Sequence, residues 1–156
     1  MDITLVKRAI ETAFLETPYP NEKLTKAAED EGTTTFFTGK EWRELDAVAL
    51  RRYDASMHYF TPSAFRYFLP AFMLAELDDP EKADILGDYV VYQFEEPPPL
   101  GLKDFSQRIE QFSENEKEAI LMFLNYMQSK YGGFEQQVSY AAAWLAANKA
   151  LHRTSR

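Results

Sequence analysis

The chain of 156 residues contains no cysteine and only two histidines. The lack of cysteine excludes disulfide bonds, thiolate metal sites and cysteine nucleophiles, and it favours a reducing compartment. The histidines, His58 and His152, stand in neither an H-E-x-x-H nor an E-x-x-H arrangement. The sequence therefore predicts no metal site, no cofactor and no catalytic residue.

Phosphate-binding loops, nucleophile turns and long apolar runs are missing as well. The segments LGLKD and KYGGFE lack the spacing of a phosphate loop, and no G-x-S-x-G turn is present. The longest apolar run, residues 67–75, has nine residues, whereas a membrane helix needs about 20. The N-terminus, MDITLVKRAIETAF, lacks the basic head and apolar core of a secretory signal. We therefore expect a cytoplasmic protein with no membrane contact.

Positive charge is in short supply. Seventeen Lys and Arg stand against 25 Asp and Glu, which gives a net charge of −8. Such a surface repels nucleic-acid phosphates and anionic lipid, so neither is an expected partner. The only basic concentrations in the sequence are Arg43, Arg51, Arg52 and a tail with Lys149, His152, Arg153 and Arg156.

The acids concentrate in residues 76–96, which we call the acidic stretch. It contains eight acids and one lysine, so it carries −7 of the total charge of −8. Acids at positions 78–81 can serve as helix caps or first-turn residues. The other acids past these capping positions form either a solvated face or a surface for a basic partner protein. The residues of this expected surface are Asp84, Asp88, Glu95 and Glu96.

The chain does have a large supply of apolar residues at helical spacing. Hydrophobic residues make up 46% of it, including 12 Phe and 9 Tyr, which is enough for one core in a chain of this length. Apolar positions recur at i, i+3 and i+4 between proline- or glycine-containing breaks. The sequence predicts an all-α fold in a single domain, 1–156. Five to seven helices form an irregular bundle around a central apolar helix at about 62–77.

Capping residues mark several helix ends. Asp2 can cap a first helix, which must end before Pro18 because proline restricts the residue that precedes it. Ser113 and Glu116 stand three residues apart and predict a capping box. Glycines at 132–133 then stop that helix.

Other segments have less regular patterns. Residues 21–31, NEKLTKAAEDE, predict a short helix capped by their first residue, whereas 33–42 permit either helix or extended chain. An Asp-Pro pair opens a helix over 79–94, although 88–94, DYVVYQF, has the composition of a strand. The final helix is expected at about 134–152.

The predicted central helix is apolar almost all the way round, yet it contains Arg66 and Pro70. Proline cannot donate the helical hydrogen bond to the carbonyl of residue 66, so a kink is expected there. In a structural interpretation, Arg66 contacts a carboxylate or backbone carbonyls inside the domain. In a functional one, Arg66 and Tyr67 line a pocket in which the guanidinium binds an anionic group. Both interpretations are open at this point.

Three segments carry a family resemblance: W-x-x-L at 42–45, F-T-P-S-A-F-R-Y-F-L-P-A-F at 60–72 and S-E-N-E-K-E-A-I-L-M-F-L at 113–124. Together they resemble a family of small bacterial proteins catalogued as a domain of unknown function. The likeness covers about residues 5–130, and F-R-Y-x-L-P-A is its most specific part. The resemblance implies a stand-alone bacterial cytoplasmic domain and assigns no catalytic residue.

Two functions from different classes fit these features. The first is a non-enzymatic interaction or regulatory module that binds a basic protein through the acidic stretch. One concrete form is an immunity-type protein that neutralises a toxin. The second is a small enzyme or ligand-binding domain with a pocket lined by Arg66 and Tyr67 near Pro70. The missing catalytic constellation favours the first.

Overall fold

The structure, a computed structural model, describes the backbone of residues 1–154 and the side chains of residues 1–146. Over this part of the chain it is all-α, as the sequence predicts, with ten α-helices and no strand. Two 3₁₀ turns, Trp42–Glu44 and Pro99–Gly101, lie between helices. The helices are α1 (Ile3–Ala13), α2 (Thr33–Phe37), α3 (Ala47–Arg52), α4 (Ser56–Tyr59), α5 (Pro62–Asp78), α6 (Pro80–Ala83), α7 (Leu86–Tyr92), α8 (Leu102–Glu110), α9 (Glu114–Tyr131) and α10 (Glu135–Thr154).

The helix count exceeds the expected five to seven because three helices are very short. Seven of the ten described helices have six residues or more, whereas α2, α4 and α6 have four or five. Helices of this length make few internal hydrogen bonds and depend on tertiary packing. Sequence periodicity therefore detects them poorly.

Helix α5 is the centre of the fold. It runs without interruption through Pro70, and 12 of its 17 residues are buried on all sides of the helix. Helices α1, α3, α6, α7 and α8 pack against it, together with the turn Trp42–Glu44. Pro62 occupies its first turn, as expected, but the hydroxyl of Thr61 donates to the carbonyl of Lys23 and does not cap the helix.

The helix predicted over 21–31 is wrong. Residues 24–26 instead run alongside the junction between α4 and α5, where the Thr61 amide donates to the Leu24 carbonyl and the Lys26 amide to the Tyr59 carbonyl. These two bonds replace the hydrogen bonds that a local helix would supply. The ambiguous segment that follows forms α2, preceded by Gly32 at a φ of 82°.

The segment 79–94 forms two helices where the sequence predicts one. Asp84 separates α6 from α7 with a φ of 54°, a left-handed conformation that ends a helix. The strand-like residues 88–94 are largely helical, since Val90 and Val91 turn toward the core within α7. Tertiary burial has therefore outweighed β-propensity.

The other predicted helix ends are confirmed. Asp2 accepts a hydrogen bond from the Thr4 amide, and Ser113 and Glu116 form the capping box of α9. Gly132, with a φ of 70°, follows the last residue of α9. Of the basic tail expected at the C-terminus, the side chains of Lys149, His152, Arg153 and Arg156 lie outside the described residues.

Candidate functional site

A groove of about 780 Å³ opens on the surface where α1, the turn Trp42–Glu44, the start of α3 and the α5–α6 junction meet. We call it the α1–α5 groove. Its floor is apolar and includes Leu15, Leu45, Val48 and Leu74. Eight charged side chains lie around this floor: Lys7, Glu11, Arg43, Glu44, Asp46, Asp78, Asp79 and Lys82.

The W-x-x-L segment forms one wall of this groove. Trp42 is buried and anchors the turn, whereas Leu45 is half-buried at the groove floor. Glu44 accepts a hydrogen bond from the backbone amide of Glu41, and Asp46 caps α3 through the Ala49 amide at 2.9 Å. The acids of this wall therefore have a local cause, because both satisfy free amides at helix starts.

Arg43 projects from the same wall and folds back over it. Its Nη2 donates to the carbonyl of Leu15 at 3.0 Å, and its guanidinium lies 5.1 Å from the ring centroid of Trp42. These contacts join the end of the α1 segment to the turn. They also place a cation next to an aromatic face, where it is favoured by the ring quadrupole.

The opposite wall contains internal ion pairs. Lys7 Nζ lies 2.5 Å from Asp78 Oδ1, and this hydrogen bond raises the pKa of Lys7. Lys82 Nζ lies 3.9 Å from Asp79 Oδ2. Five acids against three bases give the groove a net charge of −2. Because two of the three bases are paired within the wall, the groove offers mainly negative charge to a ligand.

Tyr67, one of the expected pocket residues, lines a smaller cavity that adjoins the groove. This cavity of about 220 Å³ shares Leu15, Trp42 and Arg43 with the groove. The Tyr19 ring also lines it and lies 5.2 Å from the Tyr67 ring. Burial raises the pKa of Tyr67, against an opposing hydrogen bond from the Trp42 backbone. Tyr67 is therefore a neutral phenol in an aromatic cavity.

Arg66, the other expected pocket residue, lines neither the groove nor the Tyr67 cavity. Its Nε donates to Glu116 Oε1 at 2.8 Å, and the Glu116 side chain is only 1% exposed. The same carboxylate accepts from the Ser113 amide and from the Thr17 hydroxyl. This is the contact that the structural interpretation of Arg66 expects, and it connects α5 to the start of α9.

The four acids of the expected partner surface have different surroundings. Asp84 is exposed and lies 3.2 Å from Arg51 Nη2. Asp88 is half-buried, and burial together with the charge of Asp84 raises its pKa. Glu95 and Glu96 are exposed in the loop beyond α7. The structure thus places these acids toward the two ends of α7, a helix about 10 Å long.

Glu76 has a role that sequence reasoning missed. It is 1% exposed and accepts a hydrogen bond from the Tyr131 hydroxyl at 2.7 Å. Burial raises its pKa, and the hydrogen bond from Tyr131 opposes this effect. The signal was present in the spacing, because Glu76 follows the buried Phe72 and Met73 by four and three residues on α5.

Arg108 is a half-buried cation that the sequence did not single out. It donates to the carbonyl of Met57 at 2.9 Å and to Gln93 at 3.1 Å, and it lies 3.6 Å above the Phe65 ring. Burial lowers its pKa to about 10. Among the described residues, no group of three or more His, Asp or Glu is arranged to hold a metal ion. Also within that part, none of the helices has the length and apolarity that a membrane span requires.

Comparison with protein families gives a match that covers nearly the whole chain. The model of a family of unknown function, DUF6714, matches residues 5–150. No curated protein and no solved structure matches the chain. The matched range includes the W-x-x-L segment, all of α5 and the capping box of α9. The chain therefore belongs to the DUF6714 family of unknown function.

Proposed function

We propose that this protein is a non-enzymatic interaction module of the bacterial cytoplasm, which binds a basic partner protein through the acidic surface of Asp84, Asp88, Glu95 and Glu96. The observation that carries the proposal is the charge distribution, since residues 76–96 hold −7 of the total charge of −8. A concentrated negative field attracts a basic partner before contact and raises the rate of association. One concrete form is an immunity-type protein that neutralises a basic toxin.

The position of the acidic stretch supports this proposal. Most residues of helix α5 are buried in the core. The exposed surface of the acidic stretch is therefore formed by α6, α7 and the loop that follows α7. Asp84, Glu95 and Glu96 are exposed in these elements, and their charges serve no helix cap. Arg51 offsets part of the charge of Asp84 at the α3 edge, because the two lie 3.2 Å apart. The loop acids Glu95 and Glu96 should therefore contribute most to long-range attraction.

A second candidate function, a ligand-binding domain or small enzyme, is favoured by the Tyr67 cavity. That cavity combines three aromatic rings with the guanidinium of Arg43, a combination suited to a planar or anionic small molecule. The two residues that the sequence predicts for such a pocket are separated, since Tyr67 lines the cavity whereas Arg66 contacts Glu116. The guanidinium of Arg43 would then take the place of Arg66 in binding an anion.

The proposal is tested by affinity capture followed by kinetics. Wild type and a fourfold variant (Asp84→Asn, Asp88→Asn, Glu95→Gln, Glu96→Gln) serve as baits in cytoplasmic extract. We expect wild type to retain a basic protein that the variant loses, and association to slow in the variant at low salt more than at high salt.

A control variant keeps the acidic stretch and removes the same number of charges elsewhere. Its substitutions are at exposed glutamates outside residues 76–96: Glu16→Gln, Glu29→Gln, Glu31→Gln and Glu110→Gln. Equal loss of the partner in both variants would mean that overall charge, and not the acidic stretch, controls binding. Retention of the partner by the first variant would refute the proposal.

A further inference from the structure

We infer that the α1–α5 groove is the docking site for one amphipathic helix of the basic partner, with an apolar stripe flanked by Lys or Arg. The inference rests on the proposed function, because it takes a basic protein as the partner. It adds the place of contact and the form of the segment that binds. Three features support it: the apolar floor, the net negative charge of the walls and the residues that the groove shares with the acidic stretch.

The apolar side chains of the groove floor are partly accessible to solvent. Leu15 is 52% exposed and Val48 is 45% exposed, while Leu45 and Leu74 are half-buried beside them. A helix that placed its apolar stripe on this floor would remove these side chains from water. Helix-in-groove binding uses this geometry, with apolar anchors at i, i+3, i+4 and i+7.

The charges on the groove walls favour a partner helix that carries basic side chains. Lys7 and Lys82 are held by Asp78 and Asp79 in one wall, and Arg43 folds against Trp42 and the Leu15 carbonyl. The acids that remain lie on both sides of the floor. Glu11 extends from α1, whereas Glu44 and Asp46 extend from the W-x-x-L wall. Basic side chains on both flanks of an apolar stripe would therefore meet carboxylates.

The groove is also continuous with the acidic stretch. Asp78, Asp79 and Lys82 belong to both, and α3, whose first residues line the groove, reaches Asp84 through Arg51. A basic partner attracted by the acidic stretch would thus meet a surface whose first acids, Asp78 and Asp79, also line the groove. Attraction and docking then use adjoining parts of one surface.

The test uses a defined probe and a fluorescent reporter within the groove. The probe is a synthetic Leu/Lys peptide of about 18 residues, or about five helical turns, with one apolar stripe. Its control is a peptide of the same composition in scrambled order. The chain has two tryptophans, so the full-length Trp144→Phe protein retains Trp42 alone, which lies in the groove wall.

Three double variants in this background each make the net charge more positive by two units. The groove variant is Leu15→Lys/Val48→Lys. The matched control is Leu5→Lys/Leu102→Lys, because these leucines are 53% and 45% exposed and lie outside the groove. The third variant is Glu95→Gln/Glu96→Gln. All four side-chain positions of the first two variants are exposed, so unchanged melting temperatures are expected and serve as the check on folding.

We expect the amphipathic peptide, and not the scrambled one, to change the Trp42 emission. The groove variant should weaken binding by about tenfold or more, whereas the Leu5/Leu102 control should weaken it by about twofold at most. Equal weakening by these two variants, equal binding of the scrambled peptide, or no binding to wild type at low salt would overturn the groove assignment. If only the Glu95/Glu96 variant weakens binding, the groove inference fails while the proposed acidic surface stands.

Discussion

Substitution of Gly87 by alanine tests the packing of the buried carboxylate of Glu76. A Cβ atom on Gly87 would lie 2.4 Å from Glu76 Oε1 and 2.8 Å from its Cγ and Cδ. These separations are about 1 Å shorter than an ordinary contact between such atoms. Because Glu76 is 1% exposed and bonded to Tyr131, it has little room to move away. We therefore expect Gly87→Ala to destabilise the fold.

The magnitude follows from two opposing effects. Alanine inside a helix is favoured over glycine by about 0.5–1 kcal/mol. Overpacking costs about 1–3 kcal/mol, and a displaced carboxylate that loses its hydrogen bond from Tyr131 costs about 1.5–3 kcal/mol more. The expected net loss is about 1.5–5.5 kcal/mol, and each kcal/mol corresponds to a fall in melting temperature of about 2–4 °C.

A double-mutant cycle isolates this contact. Glu76→Ala removes Oε1, Cδ and Cγ, the atoms that the new methyl group would meet. In the Glu76→Ala background, Gly87→Ala should become stabilising by about 0.5–1 kcal/mol, because only helix propensity then remains. Urea unfolding of the four proteins at neutral pH measures both effects. A stabilising Gly87→Ala in the wild-type background would refute the proposed packing of Glu76 beneath α7.

Three further predictions concern the buried acids Glu116 and Glu76 and the Ser113 cap of α9. Arg66→Ala should lower the free energy of unfolding in urea by about 3–5 kcal/mol, because the Glu116 carboxylate is then buried without its cation. The double variant Arg66→Ala/Glu116→Gln should recover part of this loss. If Arg66→Ala is as stable as wild type but loses binding of an anion, the pocket interpretation is favoured instead. Ser113→Ala should cost about 1 kcal/mol through loss of the α9 cap, and an unchanged midpoint would contradict this. Burial raises the pKa of Glu76 from its usual value of 4.5. At a pH between the unfolded and folded pKa values, the folded state therefore holds a proton that the unfolded state has lost. The free energy of unfolding should fall as the pH rises from the unfolded to the folded pKa. Glu76→Gln should remove this fall, and parallel pH profiles for the two proteins would contradict the assignment.

Local sequence rules predicted the features that depend on neighbouring residues. Asp2 and the Ser113–Glu116 pair form the expected caps because a cap needs only a side chain within one turn of a free amide. Helix α5 has apolar residues on all of its faces, and this pattern predicted its central position. A helix without a polar face must be covered on all sides. These parts of the fold require no knowledge of distant residues.

The parts that were missed depend on residues far along the chain. The segment 24–26 is extended because its backbone pairs with residues 59–61, a contact that no local pattern encodes. Glu76 was counted among surface acids, although α7 folds over it and Gly87 lies against its side chain. Arg108 is half-buried because it stacks on Phe65 and donates to the Met57 carbonyl, both more than forty residues away. Burial of a charged residue is a property of the assembled core, so composition and periodicity do not reveal it.

The same physical requirement explains both the core and the groove. Helix α5 needs apolar cover on every side, and the longer helices α1, α7 and α8 supply it on several of them. On the remaining side the cover comes from a three-residue turn, Trp42–Glu44, and the six residues of α3. These short elements bury Trp42 but leave the side chains of Leu15 and Val48 about half exposed to solvent. Leu74 of the central helix stays half-buried at the same place, and a helix bound in the groove would cover it together with Leu15 and Val48.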